Sequence, residues 1–221
     1  MSKVTVLITR PDFDDATAYL SACAEEVIEE ARNRGINVCE LPRGKVTKSE
    51  FEKRLSKNNP QLVFFNGHGS NDCITGDSKE EIILKLNDNE HLLKDKFVHA
   101  LACNAAKDLG PSCVRKGAKA FIGFKQEFVF LQDEKYTATP RKDKIAAHFI
   151  GAANVVPLSL LKGNSLQEAF DKSQKAFEKS IDYFETHYDV DNSHVLFWLR
   201  YDRRIQTILG NDPSLTIRDL Q

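Results

Sequence analysis

Leu62-Val63-Phe64-Phe65-Asn66-Gly67-His68-Gly69 is an apolar run that passes, with no linker, into a histidine held between two glycines. A second stretch has the same design: Phe97-Val98-His99-Ala100-Leu101-Ala102 runs directly into Cys103-Asn104. A third apolar run, 118–123, contains Phe121 and Ile122. Runs this short with no polar alternation suit strands buried on both faces, and strands separated by helices predict a parallel sheet covered on both sides. In such open sheets ligands bind at the carboxyl edge of the strands. The spacing therefore predicts His68 and Cys103 at one crevice, provided their strands are neighbours.

Working outward, Val4-Thr5-Val6-Leu7-Ile8 reads as the first strand, ending at Arg10-Pro11. Over 14–34, Leu20, Ala24, Val27, Ile28 and Ala31 recur at three- and four-residue steps, the period of an amphipathic helix. Gly35 stands where a left-handed C-terminal cap belongs. A second strand is expected over 36–41, and a polar helix over 47–58 with Phe51 and Leu55 facing inward. Ser165-Leu166-Gln167-Glu168 is a capping box opening a helix striped by Leu166, Phe170, Phe177, Ile181 and Phe184. Residues 195–201 and 205–209 read as two strands joined around Asp202-Arg203-Arg204. The polar connection 126–144 is long enough to be functional or mobile. No repeat or composition break divides the chain, so residues 1–221 are expected to form one α/β domain.

Composition narrows the function. The 31 basic and 32 acidic side chains nearly cancel to a formal net charge of −1, so no broad positive field exists for nucleic acid. No apolar run is read as approaching a membrane span, and the strand-like N-terminus does not read as a signal peptide, so a cytoplasmic protein is expected. Five cysteines (Cys23, Cys39, Cys73, Cys103, Cys113), odd in number and without a C-x-x-C pair, argue against a disulfide framework or structural zinc. Cys23, Cys39 and Cys113 are expected in the core, as are His99 and His148 in structural roles. His91, His187 and His194 carry no pattern.

Cys103 is then the thiol with a chemical context. Beside an imidazole it can act as an acyl-transfer nucleophile, and the resulting imidazolium can protonate a leaving amine. The backbone N–H groups of Gly69 and Cys103 are candidate oxyanion donors. Ala105, Ala106 and Leu109 predict a helix starting directly after Cys103, whose N-terminus would favour the thiolate. Asp72 is a candidate to orient His68, although a solvated loop aspartate is the simpler reading.

Phe64-Phe65-Asn66-Gly67-His68-Gly69-Ser70 resembles the histidine segment of the caspase-like (clan CD) cysteine peptidases, which include caspases, gingipains, clostripain, legumain, separase and CHAT domains. Ala100-Leu101-Ala102-Cys103-Asn104-Ala105-Ala106 is similar to their cysteine segment, most of all in CHAT and gingipain-type members. Gly117-Ala118-Lys119-Ala120-Phe121-Ile122-Gly123 resembles the strand that follows in those branches. Ile208-Leu209-Gly210-Asn211-Asp212-Pro213-Ser214-Leu215 resembles a gingipain-type closing motif, with Asn211 as an extra residue. The resemblance covers 62–217. It implies a caspase-like three-layer α/β sandwich and peptide hydrolysis by a His68–Cys103 dyad, with the oxyanion held by the Gly69 and Cys103 backbone and no cofactor or metal.

In that family, loops after the first strand, around the cysteine and after the following strand set primary specificity. Here they hold Asp12, Asp14 and Asp15, then Asn104, then Gln126 and Glu127. Carboxylates there would select Lys or Arg before the scissile bond, although acidic residues opening a helix are also ordinary caps. Arg10 keeps a rival acidic preference open. With basic specificity, Lys135, Arg141, Lys142 and Lys144 make 126–144 a site for self-cleavage. The expected partners are a protein or peptide substrate and an activating protein; the alternative is a catalytically inactive caspase-like interaction module.

Overall fold

The structure, a computed structural model, describes residues 4–187 and 193–220. In chain order the main elements are β1 (Thr5–Arg10), α1 (Asp15–Asn33), β2 (Asn37–Pro42), α2 (Lys48–Asn58), β3 (Leu62–Asn66), β4 (Cys73–Thr75) and β5 (Ile82–Lys85). They continue with β6 (Phe97–Leu101), α3 (Leu109–Arg115), β7 (Ala120–Phe124), α4 (Lys144–Ala146), α5 (Ala152–Leu161), α6 (Leu166–Thr186), α7 (Ser193–Ile205) and β8 (Gln206–Gly210). Six strands form one sheet in the order β2-β1-β3-β6-β7-β8, parallel except for β8, which runs antiparallel to β7.

Alternation along the strands sends side chains to two cores. Leu7, Val63, Phe65, Val98, Ala100 and Phe121 face one side, against Phe51 and Leu55 of α2 and Leu109 and Cys113 of α3. Val6, Ile8, Leu62, Phe64, Phe97, Ala120 and Ile122 face the other, against α1, α5 and α6. Burial on both faces is why these strands read as continuous apolar runs. The result is the expected α/β three-layer sandwich.

Local signals held at several ends. Gly35 adopts φ +69° after α1. Thr47 caps α2, and Ser165 and Glu168 form the reciprocal capping box of α6. His99 is buried within β6, its pKa pushed down to about 3 by burial, so it is a neutral core residue. Cys39 and Cys113 are buried, and burial pushes the Cys113 thiol up to about 12.

Three expectations fail. Residues 195–201 are part of helix α7 and not a strand: Val195, Leu196, Leu199, Asp202 and Ile205 are its buried positions, a three- to four-residue period that the β-branched and aromatic composition disguised. The helix expected directly after Cys103 is a series of turns, and α3 begins only at Leu109. Asn104 at φ +59° breaks the helical path there. Lys144–Leu161 is, by length and composition alone, apolar enough to cross a membrane, contrary to the reading that no run approaches that length; most of it is buried here, with α5 packed between α1 and α6. The β4–β5 hairpin was not anticipated at all; its strands are too short to show alternation.

Helix and strand make opposite demands on positions 197 and 199. A strand puts both on one face, whereas in α7 Leu199 is fully buried and Phe197 is 59% exposed. Leu199→Ala should therefore cost about 2–5 kcal/mol, and Phe197→Ser no more than about 0.5 kcal/mol, measured as urea midpoints. Comparable losses at both positions would contradict the helix.

Candidate active site

Main-chain register places the two candidate residues side by side. β3 and β6 pair in parallel over five positions ending at Asn66↔Leu101, so His68 and Cys103 are each the second residue beyond the last pair. The Gly67 amide donates to Leu101 O at 3.3 Å, carrying the contact past the strand ends. At Gly69 the chains come closer still: a Cβ there would stand 2.7 Å from Cys103 O and 3.4 Å from Cys103 N. Only glycine permits that approach. Neither the Gly69 nor the Cys103 N–H is used in a backbone hydrogen bond among the described residues.

On the other side of β3 the strands separate. β1 pairs with β3 only from Val6 to Ile8, and beyond that the side chains of Thr9 and Asn66 take over. Asn66 N donates to Thr9 Oγ1 at 2.9 Å, and Asn66 Nδ2 to Thr9 O at 2.9 Å. This buried bridge anchors the strand end from which the His68 loop leaves.

His68 is oriented by Asp14. Its Nε2 lies 2.6 Å from Asp14 Oδ2, while the Phe13 ring packs against the imidazole at 5.6 Å between centroids. Asp14 is at the same time the N-cap of α1. Its Oδ1 accepts from the Thr17 amide at 2.9 Å, and Thr17 Oγ1 accepts from the Asp14 amide. Burial works against the carboxylate charge, but hydrogen bonds from the Thr17 amide, His68 and the Thr17 hydroxyl outweigh it and hold Asp14 below its ordinary value. An ionised carboxylate can only accept, so Nε2 carries the hydrogen and Nδ1 is left as the basic nitrogen. Asp14, expected as a specificity residue, is therefore committed to the imidazole. Asp72 instead accepts from Ser70 Oγ at 2.6 Å.

Cys103 is half-buried, and burial, with smaller contributions from Glu127 and Asp202, pushes its thiol above its ordinary value; the backbone at Phe128 offsets part of this. Its Sγ donates to Phe128 O at 3.7 Å, and no hydrogen bond joins it to His68 among the described residues. The expectation of a thiolate favoured by a helix N-terminus is thus overturned: the helix is absent and burial favours the thiol. Asn104 holds the turn after Cys103, its amide donating to Gln126 O at 2.9 Å.

An open cleft of about 630 Å³ is lined by Asp14, Asp15, Ala16 and residues 128–132. Asp15 and Glu127 are exposed. Arg10 is tied by Glu25 at 2.7 Å and Glu40 at 3.2 Å, so it is engaged away from the cleft. Cys73 Sγ lies 3.2 Å from Ser70 Oγ. Asp202, which sequence reading passed over as a link between two strands, is fully buried near the thiol, and burial pushes its pKa up to about 8.

No protein-family model and no curated protein matches the sequence. Among solved structures the chain is similar to the Arg-specific cysteine proteinase gingipain R (RgpB), with a TM-score of 0.63 and 12% identity over 96% of this chain and 47% of that one. It is also similar to a complex of the Porphyromonas gingivalis RgpB pro- and mature domains, with a TM-score of 0.62 and 11% identity over 96% and 48%. The chain spans about half the length of these proteins. What is shared is the fold, the caspase-like α/β arrangement with its mostly parallel six-stranded sheet.

Because the folded Asp14 carboxyl titrates below its ordinary value of 3.8, its contribution to stability is complete above that value. It is lost as the pH falls through the lower folded value. Asp14→Asn keeps a capping oxygen and removes the charge. The variant should have a lower urea midpoint than wild type above pH 3.8, with the gap closing as the pH is lowered below it; a gap independent of pH would sink this account.

Proposed function

We propose that this protein is a cysteine endopeptidase in which Cys103 is the nucleophile and His68 the acid/base. The observation that carries the reading is the placement of both residues at matching positions past two paired strands, with the imidazole already held by an ionised carboxylate. His68 Nδ1 takes the thiol proton as sulfur attacks the peptide carbonyl carbon. The Gly69 and Cys103 amides receive the oxyanion. The imidazolium then gives its proton to the departing amine, leaving a thioester on Cys103. His68 next removes a proton from water, which attacks the thioester; the acid leaves and the thiol is restored. No cofactor enters this sequence.

The substrate class is a protein or peptide with Lys or Arg before the scissile bond. Asp15 and Glu127 support this: both carboxylates are exposed, one lining the cleft and the other preceding its Phe128 wall. The gingipain R structures come from an Arg-specific proteinase of the same fold. Arg10, the group that would favour an acidic residue, is held by Glu25 and Glu40. A protonated resting thiol also fits an enzyme switched on by a partner protein.

Peptide acyloxymethyl ketones bearing Arg, Lys, Asp or Leu at the warhead test both parts. Labelling is expected on Cys103, to vanish in Cys103→Ala, and to favour Arg and Lys. Against the preferred peptide, His68→Ala should lower kcat/KM by about 10²-fold or more, and Asp14→Asn by about 10- to 100-fold, the worth of one charged hydrogen bond. Failure of every probe to label, with or without candidate activators, would point to the non-catalytic interaction module; preference for Asp would reverse the specificity.

A further inference from the structure

A single peptide unit, Phe128–Val129, joins two groups that the proposed chemistry leaves apart. Its carbonyl accepts from the Cys103 thiol at 3.7 Å, and its N–H donates to Asp202 Oδ1 at 3.1 Å. Asp202 projects from the buried face of α7, among Val195, Leu196, Leu199 and Ile205. It is fully buried, and its Oδ2 has no hydrogen-bond partner among the described residues. A half-satisfied carboxyl there opposes folding, since an apolar side chain would fill the same face without desolvation. Among the described residues, the Val129 amide is the one hydrogen-bonding group it serves.

The consequence falls on sulfur. A carbonyl can only accept, so the bond to Phe128 exists only while Cys103 carries its proton. Fixing that carbonyl from behind holds the thiol toward the cleft wall, with no bond to His68 among the described residues. The titratable groups acting on the thiol are Glu127 from the wall segment and Asp202 from α7, and the thiol in turn acts on Tyr201 of α7. We infer that Asp202 is a positioning residue: through the Phe128–Val129 peptide it parks the Cys103 thiol in a resting orientation toward the cleft wall. This rests on the reading of Cys103 as the nucleophile.

The test is the rate at which iodoacetamide alkylates Cys103, followed by mass spectrometry of its peptide across neutral to alkaline pH. Asp202→Leu should raise the neutral-pH rate about fivefold, the factor one intramolecular hydrogen bond is worth. Asp202→Asn, whose amide oxygen still accepts from Val129, should stay within about twofold of wild type. Val129→Pro deletes the N–H without touching α7 and carries the same expectation as Asp202→Leu, which guards against a leucine variant that does not fold. Wild-type rates in both Asp202→Leu and Val129→Pro would overturn the inference. So would an asparagine variant as fast as the leucine one, because the effect would then come from charge. Alkylation needs no turnover: expected alkylation without any peptide-ketone labelling would sink the peptidase and spare the latch, and the reverse pattern would do the opposite.

Discussion

The parallel pairing of β3 with β6 is the contact on which the site depends. It aligns two strand ends, and whatever follows each end emerges at the same height on the same edge. Gly69 then lets the two loops touch through their backbones. Since this juxtaposition is made by main chain alone, His68 and Cys103, the proposed base and nucleophile, need no direct bond to be neighbours. The other strands serve as support: β1 reaches β3 through the Thr9–Asn66 bridge, and β7 with β8 closes the sheet beyond the cysteine.

Around this frame the two chemical residues are treated differently. The imidazole is held by a carboxylate kept ionised by a helix cap, whereas the thiol sits where burial keeps its proton on. Such a division suits a site that is assembled but at rest. On the proposed reading, charge orients the base, and the thiolate forms only when a substrate arrives.

Much of the sheet was legible because its strands are buried on both faces, so that Leu62–Asn66 and Phe97–Leu101 show as mostly apolar runs without alternation. The glycine-flanked histidine and the cysteine at a strand end were legible for the same reason, since each marks where an apolar run stops. Asp14 was read as a cap or a specificity residue, and it is indeed a cap. That its second oxygen reaches His68, 54 positions away, has no local signature. Asp202 was hidden because a buried carboxyl interrupts the apolar stripe by which α7 would have been recognised. The turns after Cys103 were missed because Ala105, Ala106 and Leu109 have helical spacing, while the left-handed backbone at Asn104 that breaks it belongs to tertiary contacts.

The shared role of Asp14 ties local folding to the chemistry. The first turn of a helix is where fraying begins. Each time the Asp14–Thr17 cap opens, the carboxylate that steers His68 swings with it, so the fraction of molecules with an aligned imidazole cannot exceed the fraction with a closed first turn of α1. Anything that tightens or loosens that turn, from a solute to a bound protein, thereby sets an upper bound on the working population without touching either the sulfur or the ring.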